Sequence, residues 1–285
     1  MQFKTKNDNK IFRLEEKTLT NGVKFPLLKY HQLEELGIVE HCFTTREGGV
    51  SQGVLSSLNL SFTRGDDKEN VIENYKRLAE ALDVEITDFV LSDQTHTTNV
   101  RRVYKKDAGC GIVKELPYHD VDGLITNEKG LVLSTFYADC VPLYFVDTVN
   151  KAIGLSHSGW RGTVNRMGKA TIEAMTKEFG TNPADVVAAV GPSICSACYE
   201  VSEDVADEFK KSFAGHENEI LTAKADGKYL LDLWKANEIV FLDAGIKKEN
   251  IAITNICTSC NKDLLFSHRA TKGKRGNLGA FMYLK

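Results

Sequence analysis

No run of the sequence reaches the about 18 consecutive apolar residues that a membrane-spanning helix needs, so no helical span is expected. Met1 to Lys10 is polar and mixed in charge, without the apolar stretch of a secretion signal. Proline is scarce: the 5 prolines do not cluster, and no low-complexity linker or internal repeat divides the chain. One continuous domain over residues 1–285 is therefore expected, with residues 1–10 loose at its start. Excess charge of either sign is also missing, since 36 basic against 39 acidic side chains leave −3. That balance gives no electrostatic case for nucleic acid or an anionic membrane as partner. The 7 cysteines are odd in number and scattered, unlike the disulfide framework of a small secreted domain. A reducing, cytoplasmic setting with free thiols is the expectation.

What is present reads as a mixture of strands and helices. Asn21-Gly22 between apolar runs predicts a hairpin turn. Val71, Ile72, Tyr75, Leu78, Ala79 and Leu82 recur at helical spacing. Phe89 to Val103 reads as strand interrupted at Thr95-His96, and Leu131 to Asp147 as two buried strand pieces broken near Asp139 to Pro142. Ala152 to His157 and Val186 to Val190 follow as strands, and Asp232 is placed to cap a helix. Without a regular alternation of strand and helix, the class is α+β with mixed sheets.

Three residues suited to one metal sit at the ends of predicted strands. His96 lies in Gln94-Thr95-His96, Cys140 in Ala138-Asp139-Cys140, and His157 in His157-Ser158-Gly159-Trp160. Two imidazoles and a thiolate suit zinc, and three protein ligands leave a position open for water or substrate. On residue types alone, Cys140 reads more readily as an inert core thiol than as a ligand. A second pattern is Cys195-x-x-Cys198 with Cys257-x-x-Cys260, which a structural zinc site could use. The stretch between the pairs is far longer than in a zinc ribbon, so these four are expected to be reduced and metal-free. Arg46, Arg161, Arg269 and Arg275 occur in Gly- or Ser-rich surroundings, where one or two could hold phosphate. Lys272 to Arg275 reads as a solvated basic loop.

An ordered series of motifs spans nearly the whole chain. It includes Phe43-Thr44-Thr45-Arg46-Glu47-Gly48-Gly49, Ser57-Leu58-Asn59-Leu60, Gln94-Thr95-His96 and Asp122-Gly123-Leu124-Ile125-Thr126. It continues through Ala138-Asp139-Cys140-Val141-Pro142, His157-Ser158-Gly159-Trp160-Arg161-Gly162, Gly191-Pro192-Ser193-Ile194, Cys198-Tyr199-Glu200-Val201 and Cys257-Thr258-Ser259-Cys260-Asn261. In these motifs the chain resembles the YfiH-type laccase-domain proteins, also described as polyphenol oxidases and as purine nucleoside phosphorylases. The resemblance implies a layered α/β sandwich, similar to a toxin deamidase of the cytotoxic necrotizing factor type. It implies zinc on His96, Cys140 and His157, and phosphorolysis of adenosine, inosine and methylthioadenosine with some adenosine deamination. Purine nucleosides and inorganic phosphate are then the partners, with Arg46, Asn59, Arg161 and Arg269 as expected substrate contacts. Asp139 and Asp93 are the carboxylates nearest in sequence for proton transfer. The rival readings are a copper-dependent polyphenol oxidase, a hydrolase or deamidase using Cys140 and His157, and a nucleoside-binding partner without turnover. Two departures stand out: Thr95 and Thr97 flank His96 where the family has Val and Gly, and His268-Arg269-Ala270 replaces Tyr-Arg-Arg.

Overall fold

The computed structural model describes residues 1–285, and its fold follows from central strands that are buried on both faces. In chain order the strands are β1 (Phe12–Thr18), β2 (Lys24–Tyr30), β3 (Val39–Thr44), β4 (Phe89–Leu91), β5 (Val100–Arg102), β6 (Gly123–Thr126), β7 (Val132–Tyr137) and β8 (Val141–Asp147). They continue with β9 (Ala152–Ser158), β10 (Val186–Val190), β11 (Glu200–Val201), β12 (Leu221–Ala223), β13 (Tyr229–Leu231), β14 (Ile251–Ile253) and β15 (Leu278–Leu284). One sheet runs β1-β2-β3-β15-β7-β4, a second β14-β10-β8-β9-β6-β5, and β11-β13-β12 form a small third. Both large sheets are mixed, with β4 parallel to β7, β5 to β6 and β10 to β14.

Strand β8 shows why the sheets stack. Tyr144 and Val146 join Leu28, Phe43, Leu133 and Met282 of the first sheet in one core. Val141, Leu143 and Phe145 point the other way, onto Met175 of helix Met167–Phe179 and Phe241 of helix Leu233–Asp243. The outer face of the first sheet packs Phe25, Phe89 and Phe281 against Tyr75 and Leu78 of helix Lys68–Leu82. Helix, sheet, sheet and helix therefore form four layers. Strands buried on both faces read as continuous apolar runs, as β8 does. No helix is long and apolar enough to cross a membrane.

The two expected interruptions are crossings between the sheets. Phe89 to Val103 leaves the first sheet at β4 and enters the second at β5. Leu131 to Asp147 likewise leaves it at β7 and enters the second at β8. The break falls at residues 138–140, and Pro142 lies inside β8, where its carbonyl accepts the Gly191 amide at 2.7 Å. Near the strand start the missing donor of proline is tolerated. The Asn21-Gly22 turn joins β1 and β2 as expected, with Gly22 at φ 81°.

One expectation needs correction. The distance along the chain does not keep the two cysteine pairs apart. Strands β10 and β14 are parallel neighbours, so the loops that follow them leave the sheet side by side.

Candidate metal centre and substrate cleft

His96 and Cys140 sit in the two crossings, and His157 is the penultimate residue of β9. The crossings open at the same end of the stacked sheets. Their ligand atoms consequently converge, and the donor atoms of His96, Cys140 and His157 all lie within 4.8 Å of one another. Cys140 Sγ is 4.0 Å from His96 Nε2, and the two imidazoles meet edge to face at 4.9 Å between centroids.

Asp122 organises this group, and sequence reading missed its role. Its carboxylate accepts the amides of Thr95, His96 and Thr97 at 3.1, 3.1 and 2.8 Å, and the Thr97 hydroxyl at 2.9 Å. These donors hold His96 at φ 68°, a left-handed backbone that a non-glycine residue rarely adopts. Asp122 Oδ1 also accepts from His157 Nδ1 at 2.8 Å. A carboxylate can only accept, so Nδ1 carries the hydrogen and Nε2 is left free to act as a ligand. The sequence around Asp122 carries no mark of this role, because its partners at 95–97 and 157 are distant along the chain.

Gln94 ties the same loop to the first sheet. Its side-chain amide donates to the Phe136 carbonyl at 2.8 Å and accepts the Phe136 amide at 2.6 Å. Gly159 completes the packing: a Cβ there would lie 2.8 Å from His96 Cδ2 and 3.2 Å from Cys140 Sγ.

The charges fit a cation. Burial opposes ionisation of Cys140, but the imidazoles of His157 and His96 outweigh it and bring the thiol down to about 6. Burial likewise opposes a charged His157, yet the Cys140 thiolate and Asp122 raise it to about 9. A thiolate beside two imidazoles, with Asp122 behind, is a donor set that takes a divalent ion in place of the His157 proton.

Two cavities meet at this group. One, of about 330 Å³, runs past Phe62, Gln94 and Phe136; the other, of about 390 Å³, past Trp160, Tyr199 and Leu233. His96, Cys140, Arg64 and Arg275 line both. A larger surface depression of about 540 Å³, between Lys76 and Asp88, holds no convergent metal-ligand set.

Residues 40–285 match the family described as multi-copper polyphenol oxidoreductase laccase. The chain belongs to that family. It is 36% identical over 252 residues to purine nucleoside phosphorylase YlmD of Bacillus subtilis, covering 85% of this chain and 87% of that protein. It is 34% identical over 248 residues to adenosine deaminase RL5 of an unknown prokaryotic organism, covering 87% and 94% of the two. The crystal structure of the Bacillus licheniformis hypothetical protein YfiH superposes with a TM-score of 0.89 at 33% identity, covering 97% of this chain and all of that one.

Within this laccase-family fold the four expected substrate contacts take different places. Arg161, stacked on Trp160 at 4.3 Å, and Arg269 line the second cavity. Arg46 lines neither. Its guanidinium donates to the carbonyls of Ser56 at 2.7 Å and Lys262 at 3.0 Å, and stacks on Phe266. Asn59 is fully buried and binds Ser61, Asp66 and the Asn277 amide, so it shapes the loop beside the cleft. Asp139 lines the second cavity, but its two oxygens accept from the Thr258 hydroxyl at 2.6 Å and the Arg269 amide at 2.7 Å. Asp93 faces the first cavity and holds His119 and the Asp120 amide. Arg275, expected in a solvated loop, is only 8% exposed. Burial and the neighbouring Arg64 lower it to about 10, and its Nε has no partner.

Proposed function

We propose that the chain is a zinc-dependent purine nucleoside phosphorylase. It acts on adenosine, inosine and methylthioadenosine, with adenosine deamination as a side activity. In phosphorolysis a phosphate oxygen bonds to the anomeric carbon, the bond to the purine breaks, and its electron pair leaves with the base. The observation that carries this reading is the pair of arginines at the junction of the cavities, Arg64 at the rim and Arg275 buried below, against the His-Cys-His group. The named activity of the phosphorylase and deaminase relatives supports it.

The three ligands would hold zinc, which supplies a fixed positive charge and Lewis acidity beside the reacting atoms. The chain's own residues do the rest. Arg64 and Arg275 hold a phosphate dianion. Phe62, Leu91, Leu116 and Phe136 give the first cavity the apolar walls that a purine needs, with Gln94 and Asn277 as polar anchors. Asp93 is the carboxylate on that cavity available to pass a proton in deamination. Arg46 positions residues 262–266 and acts on substrate only through them.

Two other readings compete. A multicopper centre needs several imidazole-rich shells. Besides the His-Cys-His group, the one other convergence of three or more ligand-type side chains is four cysteines, so the histidines do not supply such shells. A Cys140–His157–Asp122 hydrolase fits the contact of His157 with Asp122, which an acyl-transfer triad also uses. It predicts activity that survives a chelator; the zinc reading predicts its loss.

The arginines give a direct test. Arg275→Gln and Arg64→Ala are each expected to raise the phosphate KM about ten- to a hundred-fold, the worth of one charge-assisted hydrogen bond. Steady-state kinetics with phosphate varied at saturating adenosine checks this. An unchanged phosphate KM in both variants removes the arginines from phosphate binding.

A further inference from the structure

Four cysteines play no part in the chemistry above. Cys195 and Cys198 lie in the loop after β10, and Cys257 and Cys260 in the loop after β14. Pairing continues beyond the strand ends through a bridge between Ser193 and Cys257, and the Thr258 amide donates to the Ser193 carbonyl at 3.1 Å. The four sulfurs lie within 4.8 Å of one another, with Cys198 and Cys260 3.6 Å apart. All four are free thiols. A tetrahedron with Zn–S of about 2.3 Å has sulfur–sulfur edges of about 3.8 Å, so little movement would close it on an ion.

The surroundings are those of thiolate ligands. Cys257 Sγ accepts the amides of Cys195 at 3.3 Å and Cys260 at 3.4 Å. The Lys6 side chain lines the same surface depression as Cys195. Amide donors and a nearby cation stabilise the anionic shell that four thiolates make around a divalent ion. Packing of small thiols would explain buried Cys195 and Cys257, but not half-buried Cys198 and Cys260 turned toward each other.

We propose that Cys195, Cys198, Cys257 and Cys260 form a second metal site, a structural zinc site closed by four protein ligands. Its loading exchanges the remaining thiol protons for one Zn²⁺, with no change of oxidation state. The site ties together the two loops that carry one wall of the substrate cleft. The first loop runs on into Tyr199 and the second into Arg269, and the Arg269 guanidinium bridges them by donating to the carbonyls of Cys198 at 3.4 Å and Glu200 at 3.0 Å. The zinc therefore braces the second cavity from behind.

The test uses the full chain, purified under reducing conditions without chelator and measured for zinc, with cobalt(II) as a spectroscopic probe. Wild type is expected to hold about two zinc ions per chain, and Cys260→Ser and Cys140→Ala about one each. After metal exchange, the Cys140→Ala chain is expected to bind cobalt with the strong thiolate charge-transfer and tetrahedral bands of a four-sulfur shell. That spectrum decides the matter even where Cys260→Ser fails to fold. It is independent of nucleoside turnover, so it stands or falls apart from the proposed activity. Cobalt bound to Cys140→Ala without thiolate charge transfer overturns the proposal. So does iron in place of zinc in that chain, or a Cys198–Cys260 disulfide that persists under reducing conditions.

Discussion

Cys140→Ala is expected to lower kcat/KM for adenosine phosphorolysis by about a thousand-fold or more, about 4 kcal/mol of transition-state stabilisation. The reason is structural. Cys140 is the one anionic donor among the three proposed ligands, and the imidazoles of His96 and His157 already face its sulfur. Without it two imidazoles remain, a much weaker zinc site. The residue is half-buried in a crossing loop, so its loss should leave the stacked sheets intact. The expected result is a folded protein, by circular dichroism and thermal melting, that has lost the catalytic metal and turnover together. A folded variant with normal turnover would place the chemistry elsewhere.

Asp122→Ala is expected to damage both the site and the fold. The residue is completely buried, and it joins three successive amides, the Thr97 hydroxyl and His157. Burial opposes its ionisation, but His157 and the amides of Thr97 and Thr95 outweigh that and hold its carboxyl below the usual range. Removing one partner of a buried charged pair costs about 3–5 kcal/mol. In a chain of this size that lowers Tm by about 6 °C or more. Loss of the group that orients a ligating histidine weakens metal binding about ten- to a hundred-fold. Thermal denaturation and competition with a zinc chelator measure the two effects. An Asp122→Ala protein with wild-type zinc affinity would show that His157 needs no orienting partner.

The convergence of the candidate site was largely legible because the chain changes sheets where its apolar runs break. His96 and Cys140 stood out as polar interruptions in otherwise continuous strand sequence, and both interruptions are crossings. Residue type did the rest for His157. Asp122 was hidden, because its partners at 95–97 and 157 come from segments that only the fold brings together. Arg46 and Arg275 traded places for a related reason. A Gly-rich neighbourhood suggests exposure, but Arg46 is occupied by carbonyls and Phe266, while Arg275 is buried beside the cleft. For the cysteine pairs, the number of residues between them says nothing of their distance in space. Two parallel neighbouring strands make that count irrelevant, because each delivers its loop to the same end of the sheet.

The proposed reaction is tested most directly by following products from adenosine with the zinc-loaded protein, with and without inorganic phosphate. Adenine and ribose 1-phosphate are expected in equal amounts, formed only when phosphate is present, with a slower appearance of inosine that does not depend on phosphate. Adenine and free ribose released equally fast without phosphate would contradict it.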